Sequence, residues 1–280
     1  MLCGIVRHDA TADPWPGPAR NEKDREAVMD WTDKRVLVTG GSRGIGRAAA
    51  AAFHERGARV AINGRTAPSA AAAIAALGGG DRLVAAPGDV ATAAGCEAIV
   101  GTALAGLGGL DVLVNSAGVG KTGPIEDFDE AAWDETLDVN LKGTFFCIRA
   151  ALAALRDAKG NVVNLASDAG LIGELGLTVY CASKGGVVNM TRALALELAP
   201  DVRVNCVCPG YVDTDMVRRD GIERAEDVAA AERAVIDYAP LKRIATPGEI
   251  ATAIVYLASD DARFVTGAAF QIDGGSTAGH

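Results

Sequence analysis

Two side chains able to move a proton sit four residues apart in Tyr180-Cys-Ala-Ser-Lys184. On a helix that spacing puts both on one face, a single turn apart. A free tyrosine, with a pKa of about 10, is a poor acid or base at neutral pH. An ammonium one turn away favours the phenolate and is expected to lower that pKa towards the working range. The spacing recurs in Tyr238-Ala-Pro-Leu-Lys242, but Pro240 disrupts a helix there, so those side chains need not face each other. The earlier pair runs on into an uninterrupted helical pattern over residues 185–199, and context selects it. A second anomaly lies upstream. Helical periodicity spans residues 131–157, yet Asn140-Leu-Lys-Gly143 falls inside it. Asn and Gly are both unfavourable in a helix interior, and together they mark a helix deformed for a purpose.

These groups need a scaffold, and its organising stretch is Thr39-Gly-Gly-Ser-Arg-Gly-Ile-Gly46. It follows the apolar run Arg35-Val-Leu-Val-Thr39 and leads into an alanine-rich, helix-favouring segment. Strand, glycine turn, helix is the context that makes a glycine motif a nucleotide site. Glycines allow the tight turn and let backbone N–H groups approach a pyrophosphate, which the helix N-terminus also attracts. Gly40, Gly44 and Gly46 are spaced G-x-x-x-G-x-G, and no Gly-Lys-Ser/Thr end follows, which excludes a lysine-bearing phosphate loop. From there strands and helices alternate: 35–39, 44–56, 59–63, 67–77, 82–87, 92–107 and 111–115. A strand over 161–166, another over 202–208 and a last one over 268–272 complete the pattern. This alternation predicts an α/β fold with a doubly wound parallel sheet, three layers deep, and ligands at the carboxyl ends of the strands. Thr246-Pro247 is expected to start the helix that runs to residue 258.

Composition sets the outer limits. The chain has 280 residues, 49% hydrophobic, and a formal charge of −9. That acidity argues against nucleic acid or an anionic membrane as the main partner, and no apolar run reaches membrane-spanning length. Six scattered cysteines (3, 96, 147, 181, 206 and 208) read as reduced, small apolar residues, which points to a cytoplasmic setting. Three histidines, at 8, 54 and 280, offer no metal constellation. Residues 1–30, with alternating Pro14, Pro16 and Pro18 and a charged run, read as a disordered extension before a single domain over 31–280. A natural start at Met29 is the companion hypothesis.

From about Arg35 to Gly275 the sequence resembles the short-chain dehydrogenase/reductase family. The likeness rests on the glycine turn, Asn115-Ser-Ala-Gly118, Asn140, Ser167 placed 13 residues before Tyr180, the Tyr180/Lys184 pair, Pro209-Gly210 and Asp273-Gly-Gly275. The family usually has Asn where Ser116 stands; a small polar residue is expected to alter the cofactor wall little. The resemblance implies a Rossmann-type oxidoreductase moving a hydride between nicotinamide C4 and a carbonyl or alcohol carbon. Tyr180 is then the general acid in reduction and general base in oxidation. Ser167 hydrogen-bonds the substrate oxygen, Lys184 tunes Tyr180 and reaches the nicotinamide ribose, and Asn140 holds a water in the proton path. The cofactor-binding set comprises Gly40, Ser42, Arg43, Gly44, Ile45, Gly46, Arg65, Asp89, Val90, Asn115, Ala117, Gly118, Tyr180, Lys184, Pro209, Gly210, Val212 and Thr214. Within it Asp89 meets the adenine, while Val212 and Thr214 contact the carboxamide. Residues 213–245, charged and alanine-rich, are the expected substrate lid. A homotetramer or homodimer is implied by the family alone.

Cofactor choice has its own signal. The second strand ends in Asn63-Gly-Arg65 with no carboxylate to receive ribose hydroxyls, as an NAD-selective site has. Arg65 and Arg43 instead offer guanidinium groups suited to a 2′-phosphate. NADP(H) is therefore the expected cofactor, with NAD(H) the alternative in an alcohol or sugar dehydrogenase of the same family. A non-catalytic dinucleotide sensor should lack one of the four catalytic residues, and a methyltransferase should carry an acid after the second strand. Between Ser167 and Tyr180, Leu171, Ile172, Leu175 and Leu177 surround a single Glu174, suggesting a mainly apolar pocket. The family's common members of this length reduce 3-oxoacyl thioesters. The acid-bearing lid gives little sign of a basic docking patch, so a small free ketone or alcohol is an equal candidate.

Overall fold

The structure, a computed structural model, describes residues 30–279; the expectations for the N-terminal stretch and for a start at Met29 lie outside the described residues. Seven strands form one sheet: β1 (Arg35–Thr39), β2 (Arg59–Ile62), β3 (Leu83–Ala85), β4 (Val112–Asn115), β5 (Asn161–Leu165), β6 (Arg203–Pro209) and β7 (Ala269–Ile272). Their order is β3-β2-β1-β4-β5-β6-β7, and every pairing is parallel. A parallel sheet covered on both faces needs apolar residues on both, and Val36, Leu37 and Val38 are all fully buried. The register lines Ala61, Leu37, Leu113, Val162 and Val204 into one row across five strands. That row packs against the layer of α3 (Ala93–Leu107), α5 (Gly143–Asp157) and α6 (Thr178–Leu198). α1 (Gly44–Glu55) and α8 (Pro247–Ala258) pack together in the other helical layer.

Local chemistry sets the helix ends. Thr66 caps α2 (Ala67–Ala76) in a reciprocal box with Ser69, and Thr92 caps α3, which stops at left-handed Gly108 (φ 80°). The expected Thr246-Pro247 start is present: Thr246 and Glu249 form a capping box on α8. Each such cap contributes about 1 kcal/mol.

The anomaly at Asn140 has a structural counterpart. The helix expected over 131–157 is two, α4 (Glu130–Leu137) and α5, joined by a single π-helical turn over Asp138–Lys142. Asn140 occupies that turn and is buried. Such bulges insert a residue into the ladder and turn a side chain away from its regular direction.

Residues 213–245 contain a helix that periodicity did not single out, α7 (Val228–Tyr238), capped by Asp227. α7 ends at Tyr238, two residues before Pro240, and Lys242 takes a left-handed conformation (φ 53°). The second Tyr/Lys spacing is therefore no helical pair. The described cysteines are all free thiols. Among the described residues no helix is long and apolar enough to cross a membrane.

Candidate active site

The sheet order reverses between β1 and β4, and a crevice opens there at the carboxyl ends of the strands. Two polar side chains hold its rim. Thr39 Oγ1 accepts from the N–H groups of Ser116 (3.1 Å) and Ala117 (3.3 Å). Asn63 Oδ1 accepts from Gly40 N (3.1 Å), while its amide donates to the carbonyls of Ala86 (3.0 Å) and Gly88 (3.1 Å). Asn63 thus ties the ends of β2 and β3 to the glycine turn. Gly40 has φ 62°, and a Cβ there would lie 2.6 Å from Ala117 Cα. A Cβ on Gly46 would lie 2.4 Å from the Gly40 carbonyl oxygen. Only glycine fits either place.

Most of the expected binding residues lie on the loops that follow β1, β2, β3, β4 and β6. Ser42, Arg43, Gly44 and Ile45 carry the turn into α1, with Arg43 at its N-cap. Asp89, exposed after β3, accepts from Ala91 N (3.0 Å), and Val90 beneath it is buried. Asn115 donates to Asn164 Oδ1 (2.9 Å), while its own Oδ1 is buried without a donor among the described residues. Beyond β6, Pro209 and Gly210 lead to buried Val212, whose carbonyl accepts from Thr214 Oγ1 (3.3 Å). Thr214 returns to the glycine turn: a Cβ on Gly44 would sit 3.3 Å from its methyl. Arg43 pairs with Asp215 at 3.5 Å, both half exposed. Arg65 is exposed beyond β2, without an ion pair among the described residues.

Lys184 and Asn140 meet at Gly118, and the Tyr180 ring lies beside Gly120. α6 buries a helical stripe of Ser183, Lys184, Val187, Val188 and Thr191, which turns Lys184 inward. Its Nζ donates to the Leu165 carbonyl (2.8 Å) and lies 5.6 Å from the Tyr180 ring centre. Asn140 accepts from Val119 N (2.9 Å) and donates to Val119 O (2.9 Å) and Ser183 Oγ (3.0 Å). A Cβ on Gly118 would be 3.4 Å from Asn140 Oδ1 and 3.5 Å from Lys184 Nζ. A Cβ on Gly120 would be 3.5 Å from the Tyr180 ring and 3.6 Å from Met216 Sδ, so Gly120 has both side chains as neighbours. The residues present fit a dinucleotide: glycines at 40 and 46 let the turn close tightly on its own backbone, Gly118 leaves the Asn140 and Lys184 side chains uncovered, and the turn leads into the α1 N-terminus.

The phenol differs from expectation. Its pKa is pushed up, first by burial and further by the charges of Asp168 and Glu174, against a lowering hydrogen bond from Ser167. Burial also lowers Lys184 to about 8. Desolvation and two carboxylates outweigh the ammonium that spacing alone suggested.

Those carboxylates belong to a group that sequence reasoning did not assign. Ser167 Oγ donates to Asp168 Oδ1 (3.0 Å) and accepts from Ala169 N (3.2 Å); Asp168 Oδ2 accepts from Ser276 Oγ (3.2 Å). The Tyr238 hydroxyl donates to Glu174 Oε1 (2.9 Å), and its ring meets Tyr211 edge-on at 5.1 Å. Leu175, expected in an apolar pocket, is fully exposed. The available signal was Glu174 itself, a lone acid in an apolar run.

Known proteins resemble the chain over most of its length. A family model described as enoyl-(acyl carrier protein) reductase matches residues 40–277. The chain belongs to the short-chain dehydrogenase/reductase family. It is 42% identical over 248 residues to 2-(S)-hydroxypropyl-CoM dehydrogenase 3 of Xanthobacter autotrophicus, covering 87% of this chain and 96% of that one. It is 38% identical over 251 residues to an NADP-dependent (R)-specific alcohol dehydrogenase of Lentilactobacillus kefiri, covering 88% and 97%. The crystal structure of a family member termed glucose/ribitol dehydrogenase, from Brucella melitensis, superposes with a TM-score of 0.82 at 36% identity, over 88% of this chain and 98% of the other. As a member of this family the protein is an oxidoreductase that uses a nicotinamide dinucleotide and acts on secondary alcohols or ketones.

Proposed function

We propose that the protein is an NADP(H)-dependent reductase of a small free ketone, with Tyr180, Ser167, Lys184 and Asn140 as its catalytic set. The observation that carries this reading is that Lys184 Nζ lies 5.6 Å from the Tyr180 ring and meets Asn140 at Gly118, with the Ser167 hydroxyl acting on the same phenol. When bound, the nicotinamide supplies or accepts the hydride. The chain's own residues handle the proton. A phenol pushed above its ordinary pKa stays protonated, so Tyr180 is loaded to donate to the carbonyl oxygen in reduction. Ser167, which gives its one proton to Asp168 in this structure, would turn it to the same oxygen as charge develops there, with Ala169 N holding Oγ in place. Lys184, held by Leu165 O, would hydrogen-bond the nicotinamide ribose, and Asn140 is clamped by Val119 and Ser183.

Arg43 and Arg65 support NADP(H). Both are exposed, no acid follows β2, and the Arg43–Asp215 pair is solvated enough to exchange for a phosphate. The lid over 213–245 supports a free ketone over a substrate delivered on an acidic carrier. Arg218, Arg219 and Arg224 there are already paired with Asp213, Glu232, Asp215 and Asp220. A single domain over 31–280, a cytoplasmic location and assembly as a homotetramer or homodimer complete the proposal. The test is a ketone panel followed by NADPH absorbance. Turnover should be at least about tenfold more efficient with NADPH than with NADH. Equal efficiency refutes the cofactor assignment, and preference for an acyl-carrier thioester refutes the substrate assignment.

A further inference from the structure

We infer that Glu174 determines specificity: its carboxylate accepts a hydrogen bond from a hydroxyl on an uncharged ketone or alcohol substrate, and it turns away substrates with an anionic group at that place. This rests on the hydride-transfer reading of the site and adds the class of substrate.

A chain of contacts places Glu174 on the substrate side. Ser167 donates to Asp168, and a Cβ on Gly210 would lie 3.2 Å from Asp168 Oδ2. Gly210 precedes Tyr211, whose ring packs on Tyr238, and Tyr238 donates to Glu174 Oε1. The loop bearing Glu174 is tied down where Gly123 N donates to Gly176 O (3.0 Å). Consistent with that position, the Glu174 charge acts on the phenols of Tyr180 and Tyr211.

The two carboxylates have different tasks. Asp168 is buried, and both its oxygens are taken by Ser167, Ala169 N and Ser276. It is a positioning group for Ser167. Glu174 is half-buried, and no described residue donates to its Oε2 or forms an ion pair with it. The Tyr211 hydroxyl also has no hydrogen-bond partner among the described residues. An open carboxylate oxygen suits a hydroxyl, which donates to it, and the open phenol of Tyr211, packed on the Tyr238 that holds Glu174, offers a donor in return. An ammonium would also pair with the carboxylate, but it has no lone pair to accept from Tyr211. A carboxylate, sulfonate or phosphate there meets the charges of Glu174 and Asp168, while Lys121 is held by Asp127 O and the Phe128 ring and Arg218, Arg219 and Arg224 are ion-paired.

The experiment uses the full chain with NADPH and five probes: 2-pentanone, its 3-, 4- and 5-hydroxy derivatives, and 4-oxopentanoate. At least one hydroxyketone should exceed 2-pentanone in kcat/KM by about tenfold, mostly through KM, and 4-oxopentanoate should fall below 2-pentanone. Glu174→Gln keeps an acceptor for Tyr238 and removes the charge. It should shrink the hydroxyketone-to-pentanone ratio and raise the oxopentanoate-to-pentanone ratio, each by about tenfold. Tyr211→Phe should shrink the first ratio and leave the second. Ratios that Glu174→Gln does not move overturn the inference, as does 4-oxopentanoate matching 2-pentanone in the wild type. That wild-type comparison stands alone if the variant does not fold. Absence of turnover with every probe sinks the reductase reading and this inference with it, whereas flat turnover across the panel sinks this inference alone.

Discussion

The two ends of the crevice are built from different materials. The cofactor end, around β1, β2 and β4, is mostly backbone: Gly40, Gly44 and Gly46 permit a close approach, and Thr39 and Asn63 hold the strand ends in place. The substrate end, around β5, β6 and the 213–245 segment, is made of side chains from distant parts of the chain. Ser167, Asp168, Tyr238 and Ser276 meet there across up to about a hundred residues. Backbone sites tolerate little change and bind what many relatives bind. Side-chain sites vary by single substitutions. The first end should therefore fail by steric exclusion, and the second by loss of a particular hydrogen bond.

Four perturbations separate the two ends. Ser167→Ala should have the largest effect, lowering turnover by about 10²–10³-fold while leaving NADPH affinity near the wild type, as read by steady-state kinetics and calorimetry. Gly46→Ala should do the reverse. Its Cβ would meet the Gly40 carbonyl at 2.4 Å, so cofactor affinity should fall by the equivalent of about 1–3 kcal/mol, with residual turnover at saturating cofactor. Arg43→Ala and Arg65→Ala together should weaken NADPH by about tenfold and NADH hardly at all, measured as the ratio of their dissociation constants.

The smallest effect is a pH slope. Lys184 has a folded-state pKa near 8, below its ordinary 10.5, so the unfolded chain binds more protons between those values. Its contribution to stability is present above 10.5 and is lost as pH falls through 8. Chemical denaturation of the cofactor-free protein should show that rise with pH in the wild type, and Lys184→Met should lack it.

Legibility in the sequence follows the same division. The strands, the glycine turn and the α8 cap are local patterns, and the structure places each within a few residues of its expected bounds. Asn140 and Gly143 signalled a deformed helix because propensity is also local, and a π turn stands there. Tyr180 and Lys184 share α6, so spacing sufficed to pair them. Spacing did not supply the dielectric. The raised phenol depends on burial and on Asp168 and Glu174, which only the folded loop brings near. Tyr238 was set aside with its broken Tyr/Lys pair, correctly as a helical pair, yet its hydroxyl reaches Glu174 across 64 positions. No periodicity encodes such a contact.

The most direct test of the account is isotope transfer. With NADPH deuterated at nicotinamide C4 and 2-pentanone as probe, the wild type should give an alcohol carrying deuterium on its carbinol carbon. Tyr180→Phe should bind NADPH as well as the wild type while forming that product about 10²–10⁴-fold more slowly. Unlabelled alcohol from the wild type, or labelled alcohol from Tyr180→Phe at an undiminished rate, would contradict the claim that this phenol and a bound nicotinamide perform the reaction together.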